Sequence, residues 1–186
     1  MHMIGVTGCM GAGKTTVCEI LKSKGIPIYN TDDVAKRLTV ELQLLQNTDQ
    51  ETLTKIIFGG ESRLKQQTEA IIHAAVFENL RQWEKARQAE NCRLCMVESA
   101  LLPSDSLSYD GIWGYILVSA PEVLRIKRVV QRTKLPEKEV RRRIACQTSE
   151  EEKRKWTKFE IINDGKQELL PQVEAFLEWI NKATSS

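Results

Sequence analysis

The first residues that could do chemistry form a glycine-rich segment near the N-terminus. Gly8, Cys9, Met10, Gly11, Ala12, Gly13, Lys14 and Thr15 match G-x-x-x-x-G-K-[ST] at every fixed position, and Thr16 follows. In such a segment the backbone N–H groups wrap an anion at a helix N-terminus, Lys14 reaches the β- and γ-phosphates, and the Thr15 hydroxyl ligates Mg²⁺. Residues 8–15, the phosphate loop, therefore predict a site for a nucleoside triphosphate, and we expect Thr16 to bind it as well.

Carboxylates follow two predicted strands, at the edge of a parallel sheet where ligands bind. Asp32 and Asp33 come after the strand Ile26 to Tyr29, and Glu98 comes after the strand Leu94 to Val97. A small-molecule kinase needs a carboxylate near the accepted hydroxyl. Asp32 and Asp33 are both candidates for that role, and Glu98 is suited to hold Mg²⁺ through water. The helix dipole also favours acids in a first turn, which is the simpler explanation of Asp33.

A basic block covers residues 122–158, with 13 Lys or Arg and 6 Glu, although the net charge of the whole chain is only +2. Arg128 and Arg132 are four residues apart, so one helix face can aim both guanidinium groups at a phosphate cluster. The block could also bind nucleic acid, but Glu122 to Lys155 lacks the interleaved aromatic residues of single-strand-binding surfaces.

The strands alternate with helices along the chain. Further strands are predicted at Trp113 to Ser119 and Phe159 to Ile162, after the first at Met3 to Thr7. The predicted helices are Lys14 to Lys24, one capped by Thr31 that runs through Val34, Leu38 and Leu42, one from Glu51 to Gly59, Arg63 to about Ala89, Glu122 to Arg132, a hairpin opened by Pro136 and by a Ser149–Glu152 capping box, and Gln167 to Lys182. The buried stripe of the long helix is expected to comprise Ile71, Ile72, Ala75, Val76, Leu80 and Trp83.

This alternation predicts an α/β fold with a five-stranded parallel sheet flanked by helices. We expect one kinase domain over residues 1–186. Its core would comprise residues 1–30, 92–121 and 159–186, with a helical acceptor-binding insertion at 31–91 and a helical lid at about 122–158.

The composition excludes several classes of protein. Hydrophobic residues make up 41% of the 186 residues and charged residues 28%, which excludes disordered and fibrous chains. The sequence has no membrane-spanning apolar stretch and no signal-peptide pattern. Five scattered cysteines favour a reducing compartment, and we expect a cytoplasmic protein. The pair Cys92 and Cys95 lacks the second pair that a zinc site needs.

The motifs, taken in order, resemble the dephospho-coenzyme A kinase family. The resemblance is carried by Ile4 to Gly8 with the phosphate loop, Lys24 to Ile28, Thr31-Asp32, Ala120-Pro121-Glu122, Lys127-Arg128, Gln131-Arg132, Arg143-Ile144, Gln147, and Asn163 with Gly165. It covers about the first 36 residues and Gly114 to Leu177 well, and the middle of the chain poorly.

The resemblance implies transfer of the ATP γ-phosphate to the ribose 3′-hydroxyl of dephospho-coenzyme A, with Mg²⁺ as cofactor. Asp32 would orient or deprotonate the hydroxyl, with Thr7 near the acceptor. Arg128 would neutralise the moving phosphoryl group, while Arg132 and Asn163 would act on the ATP side.

The sequence departs from the family pattern at several positions. Asn30 occupies the place of a first Asp, His73-Ala74 replaces His-Pro, Thr157-Lys158 replaces Ala-Asp, and Pro103-Ser104 replaces Phe-Glu. His73 is a candidate acceptor contact, although a lone histidine in a helix is more often packed than functional.

Two other functions fit part of the pattern. A nucleoside monophosphate kinase would share the phosphate loop, but the chain lacks a clear additional arginine motif after the second strand. A nucleotide-dependent nucleic-acid-binding protein would use the basic block. The expected partners are ATP and dephospho-coenzyme A, without nucleic acid, membrane or an obligate protein partner.

Overall fold

In the computed structural model, which describes residues 1–45, 62–99 and 109–184, five strands form one sheet. The strands are β1 (His2–Thr7), β2 (Ile28–Asn30), β3 (Leu94–Glu98), β4 (Ile112–Ser119) and β5 (Phe159–Ile162). Their order is β2-β3-β1-β4-β5, and β1 pairs in parallel with both β3 and β4. The predicted five-stranded parallel sheet is confirmed.

Seven helices are described. They are α1 (Lys14–Ser23), α2 (Thr31–Leu45), α3 (Ser62–Ala89), α4 (Glu122–Thr133), α5 (Glu137–Ala145), α6 (Glu150–Trp156) and α7 (Leu169–Thr184). Each was expected within two residues of its observed start, and the helix predicted from Glu51 lies outside the described residues. Across the described ranges, no helix has the length and apolarity needed to cross a bilayer.

The apolar side chains on one face of the sheet pack under α1 and α7, which also contact each other, because a buried face of a parallel sheet needs cover. This core contains Ile4, Val6, Val17, Leu21, Met96, Ile116, Val118, Ile161, Val173, Phe176 and Ile180. Phe159 and Phe176 make an edge-to-face contact with 5.6 Å between ring centroids. The core fixes β1 and α1, and therefore both ends of the phosphate loop.

The chain divides into two units, one of residues 1–29 with 93–186 and the other of residues 30–92. In the second unit α2 packs against α3. Val76 and Leu80 are buried on α3, as expected, whereas Ile71 is 58% exposed, so its inclusion in the buried stripe was wrong. A helix turns by 100° per residue, and the stripe that passes through Ile72 leaves Ile71 outside it.

Side chains cap the helices close to the predicted positions. The Oδ1 atom of Asn30 accepts a hydrogen bond from the backbone N–H of Asp33 at 3.0 Å, so Asn30, rather than Thr31, caps α2. Ser149 Oγ accepts from Glu152 N at 3.2 Å, as the capping box predicted. Asn30 thus has a local structural role.

Phe176→Ala should lower the free energy of unfolding by about 3–5 kcal/mol, because it removes a fully buried ring and leaves a cavity. Urea denaturation measures the change. Val123→Ala is the control, since Val123 is 77% exposed and its truncation should cost less than about 0.5 kcal/mol. Equal losses in the two variants would contradict this assignment of the core.

Candidate active site

The phosphate loop connects β1 to α1 and depends on a glycine immediately before the helix. Gly13 caps α1 with a φ of 96°, a conformation that residues with a side chain rarely adopt. A Cβ atom at Gly13 would also overlap the Nδ2 atom of Asn163. The loop therefore requires glycine here for both its backbone and its close neighbour.

The lysine and the threonine of the loop motif make different contacts. Lys14 Nζ donates to the carbonyl oxygen of Gly8 at 2.8 Å. The Thr15 hydroxyl donates to Glu98 Oε1 at 2.9 Å. Glu98 is buried at the end of β3, and the parallel register pairs it with Val6 of β1. The sheet therefore brings together the two residues that the sequence assigned to Mg²⁺.

Arg128 and Asn163 form a brace on another side of the loop. Arg128 Nη2 donates to Asn163 Oδ1 at 3.0 Å, and Asn163 Nδ2 donates to the carbonyl oxygen of Ala12 at 2.8 Å. The backbone N–H of Asn163 donates to Ser119 O at 2.8 Å. These bonds join the carboxyl ends of β4 and β5 to the loop and hold the Arg128 guanidinium beside it.

Residues 137–156, the predicted hairpin, also contact the loop. Its two helices do not pack mainly on each other as predicted, because α5 packs on α4 and α6 packs on β4. Gln147, between the two helices, accepts from the backbone N–H of Met10 through Oε1 at 2.8 Å. The next residue, Thr148, accepts from Cys9 Sγ at 3.5 Å through its carbonyl oxygen. Lys153 of α6 donates to Thr7 Oγ1 at 3.4 Å. Residues 137–156 are thus bonded to the last residue of β1, Thr7, and to Cys9 and Met10 of the loop.

Burial shifts the pKa values of Cys9 and Glu150, two titratable groups near the phosphate loop. It raises the pKa of the Cys9 thiol, and the nearby Arg125 only partly offsets that effect. It also raises the pKa of Glu150, whose carboxylate lies 3.4 Å from Arg125. Cys9 is therefore a neutral thiol at physiological pH, rather than a nucleophile.

A cleft of about 750 Å³ opens beside these residues. Its lining includes Ser119, Arg125, Gln147, Thr148, Asp164 and Gln167. The volume is within the usual range of small-molecule sites. The first unit thus has space for a ligand next to the phosphate loop.

The model of the dephospho-CoA kinase family matches residues 2–168 of the chain. The chain belongs to the dephospho-CoA kinase family. The dephospho-CoA kinase of Bacteroides fragilis is 30% identical to it, over 91% of this chain and 88% of that protein. The dephospho-CoA kinase of Thermus thermophilus is 33% identical, over 88% of this chain and 83% of that protein.

Solved structures show the same architecture. The crystal structure of TT1252 from Thermus thermophilus has a TM-score of 0.76 and 30% identity, with 98% of this chain and 97% of that chain covered. The dephospho-CoA kinase from Campylobacter jejuni has a TM-score of 0.69 and 23% identity, with 98% of each chain covered. The fold of the chain is therefore that of the family.

The candidate site residues fall into two groups. The first unit brings the phosphate loop, Thr7, Glu98, Arg128 and Asn163 together through the contacts above, whereas Arg132 is exposed one turn beyond Arg128 on α4. Asp32 and His73 belong to the second unit, where Asp32 is exposed in the first turn of α2 and His73 is half-buried on α3.

The sequence reasoning missed Lys153 and Arg125. Both are buried charged residues close to the phosphate loop, and both lie in the basic block. A lysine or arginine in a charge-rich helix is usually solvated, so composition gave no reason to single them out. The spacing of Glu150, Lys153 and Trp156 on one face of α6 was the available signal.

Gly13→Ala should weaken ADP binding by about tenfold or more, because a left-handed backbone with a Cβ costs about 1–3 kcal/mol and the new methyl group displaces Asn163. Isothermal titration calorimetry measures the affinity.

Gly25→Ala is a matched control for that variant. Gly25 has a φ of 81°, but nothing lies within 4 Å of an added Cβ. It should lose stability through the same backbone strain and keep its ADP affinity. Equal ADP binding by the two variants would contradict the role of Gly13.

Proposed function

We propose that the chain transfers the γ-phosphoryl group of ATP to the ribose 3′-hydroxyl of dephospho-coenzyme A, giving coenzyme A and ADP. The observation that carries the proposal is a complete phosphate loop with the Thr15–Glu98 pair on one side and the Arg128–Asn163 brace on the other. Family membership supplies the acceptor.

The nucleotide would bind with its phosphates along the loop. The loop N–H groups and the N-terminus of α1 bind anions, and Lys14 would exchange the Gly8 carbonyl for phosphate oxygens. Arg128 would neutralise the charge on the moving phosphoryl group, with Asn163 as its positioning residue. The exposed Arg132 has room to act from the ATP side.

Thr15 and Glu98 would hold a magnesium ion. Their hydroxyl and carboxylate oxygens lie 2.9 Å apart, which suits a small cation that takes oxygen ligands. Within the described ranges no three His, Cys, Asp or Glu side chains cluster as a metal cage. This fits Mg²⁺, which is usually held by one or two carboxylates with phosphates and water. When bound, the ion neutralises phosphate charge.

The acceptor hydroxyl is assigned to Asp32. This carboxylate would orient the 3′-hydroxyl and take its proton as the oxygen attacks phosphorus. Residues 31–91 form the proposed acceptor-binding insertion, with His73 as a candidate contact, and residues 122–158 form the proposed lid. Thr7, at the end of β1, would lie near the acceptor.

We assign the enzyme to the cytoplasm. None of the five cysteines, which all lie in the described part of the chain, forms a disulfide, and three of them are buried. Free thiols are typical of reducing compartments.

Purified protein with Mg·ATP should release ADP only when dephospho-coenzyme A is added. Each common nucleoside monophosphate and a reaction without acceptor are the comparisons, and coupled ADP detection is the measurement. Lys14→Ala controls for contaminating kinases and should lose activity. Turnover with adenylate or uridylate and none with dephospho-coenzyme A would assign the chain to the nucleoside monophosphate kinases.

Asp32→Asn should lower kcat by about 10²–10⁴-fold and leave ADP affinity unchanged, because it removes a base and keeps the shape of the side chain. Asp33→Asn is the matched control. Asp33 is also in the first turn of α2, where it makes an exposed ion pair with Lys36 at 3.5 Å. Its kcat should change little, and normal turnover of Asp32→Asn would remove Asp32 from the mechanism.

A further inference from the structure

Lys153 is a buried lysine that forms no ion pair with a carboxylate of the described residues. It is 4% exposed, and none of the ion pairs among the described residues includes it. Its ammonium donates to the neutral Thr7 hydroxyl at 3.4 Å and lies 6.0 Å from the centre of the Trp156 ring. Lysines are almost never buried to this degree unless they are paired, so this charge needs an explanation.

The ammonium of Lys153 lies where β1 ends and the phosphate loop begins. Thr7 is the last residue of β1, and the next residue, Gly8, accepts from Lys14 Nζ at 2.8 Å. Lys153 and Lys14 therefore contact consecutive residues at the entrance to the phosphate loop. Two ammonium groups thus lie at the start of the loop, where an anionic substrate would enter, while the Glu98 carboxylate is bonded to Thr15.

The neighbouring groups do not cancel that charge. Glu150 of α6 attracts the charge of Lys153, but its carboxylate also lies 3.4 Å from Arg125. The Cys9 thiol is kept neutral by its burial. Burial also lowers the pKa of Lys153 itself, and the attraction of Cys9 and Glu150 only partly offsets that effect.

Packing alone does not explain why a lysine occupies position 153. Packing alone would be served as well by a methionine of similar length, and replacing a buried charge by an apolar isostere is often neutral or stabilising. A charge kept at a cost in stability is typical of functional sites. Two of the three ammonium N–H groups remain available for a ligand.

We propose that Lys153 binds an oxygen of the transferring γ-phosphoryl group, as a second ammonium beside Lys14. This role rests on the proposed phosphoryl transfer. The hairpin that carries Lys153 is already bonded to the loop through Gln147 and Met10 at 2.8 Å, so the lysine is positioned before the chemical step. Pre-positioned cations are the main source of rate in phosphoryl transfer.

Lys153→Met tests the proposal, with Lys155→Met as the matched control. Lys155 is on the same helix but is exposed and paired with Glu152. The affinities for ADP and for a non-hydrolysable imido analogue of ATP are measured by calorimetry, together with the thermal midpoint. K153M should bind the analogue about tenfold more weakly and ADP as the native protein does, with an equal or higher midpoint. K155M should match the native protein throughout.

The steady-state kinetics of K153M should show kcat lower by about 100-fold and an unchanged KM for dephospho-coenzyme A. Equal weakening of ADP and analogue, a lower midpoint with normal kcat, or a change in acceptor KM alone would each overturn the proposal. The binding measurements need no acceptor. If the native protein is inactive with dephospho-coenzyme A, the proposed acceptor fails while the role of Lys153 is still decided.

Discussion

β1 lies between β3 and β4, and its hydrogen-bonding groups pair with a strand on each side. In a sheet, a slip of one residue would turn every side chain to the opposite face, so two pairings and two buried faces hold the register firmly. That register places Val6 opposite Glu98 on one side and Thr7 opposite Leu117 on the other. The phosphate loop starts from this fixed point.

Side chains from distant parts of the sequence then hold the loop from outside. Asn163 bonds Ala12 across 151 residues, and Gln147 bonds Met10 across 137. Each bond uses a backbone group of the loop, so the path of the chain is held whichever side chains the variable positions carry. Because the loop is fixed before the nucleotide binds, little free energy is lost to its reorganisation during the reaction. Such preorganised donors stabilise the transition state electrostatically.

The strands, most helix boundaries and the phosphate loop could be predicted because each depends on local patterns. The predicted buried stripe was wrong at Ile71. Apolar residues stand next to one another in this part of α3, and the sequence alone does not show which of them faces the packed side of the helix. The Lys153–Thr7 contact could not be predicted, since it joins residues 146 apart and depends on how the hairpin lies on the sheet. The ammonium of Lys158 lies 3.7 Å from the centre of the Trp113 ring, a cation–π contact that only the fold shows.

The distribution of thiols gives this protein a natural attachment point for a spectroscopic probe. Cys9, Cys18 and Cys95 are buried, and Cys92 is half-buried, whereas Cys146 is exposed. Cys146 directly precedes Gln147, which holds the hairpin to the loop. A maleimide dye would react there first, and its emission would report whether the hairpin leaves the loop during turnover, without any engineered cysteine.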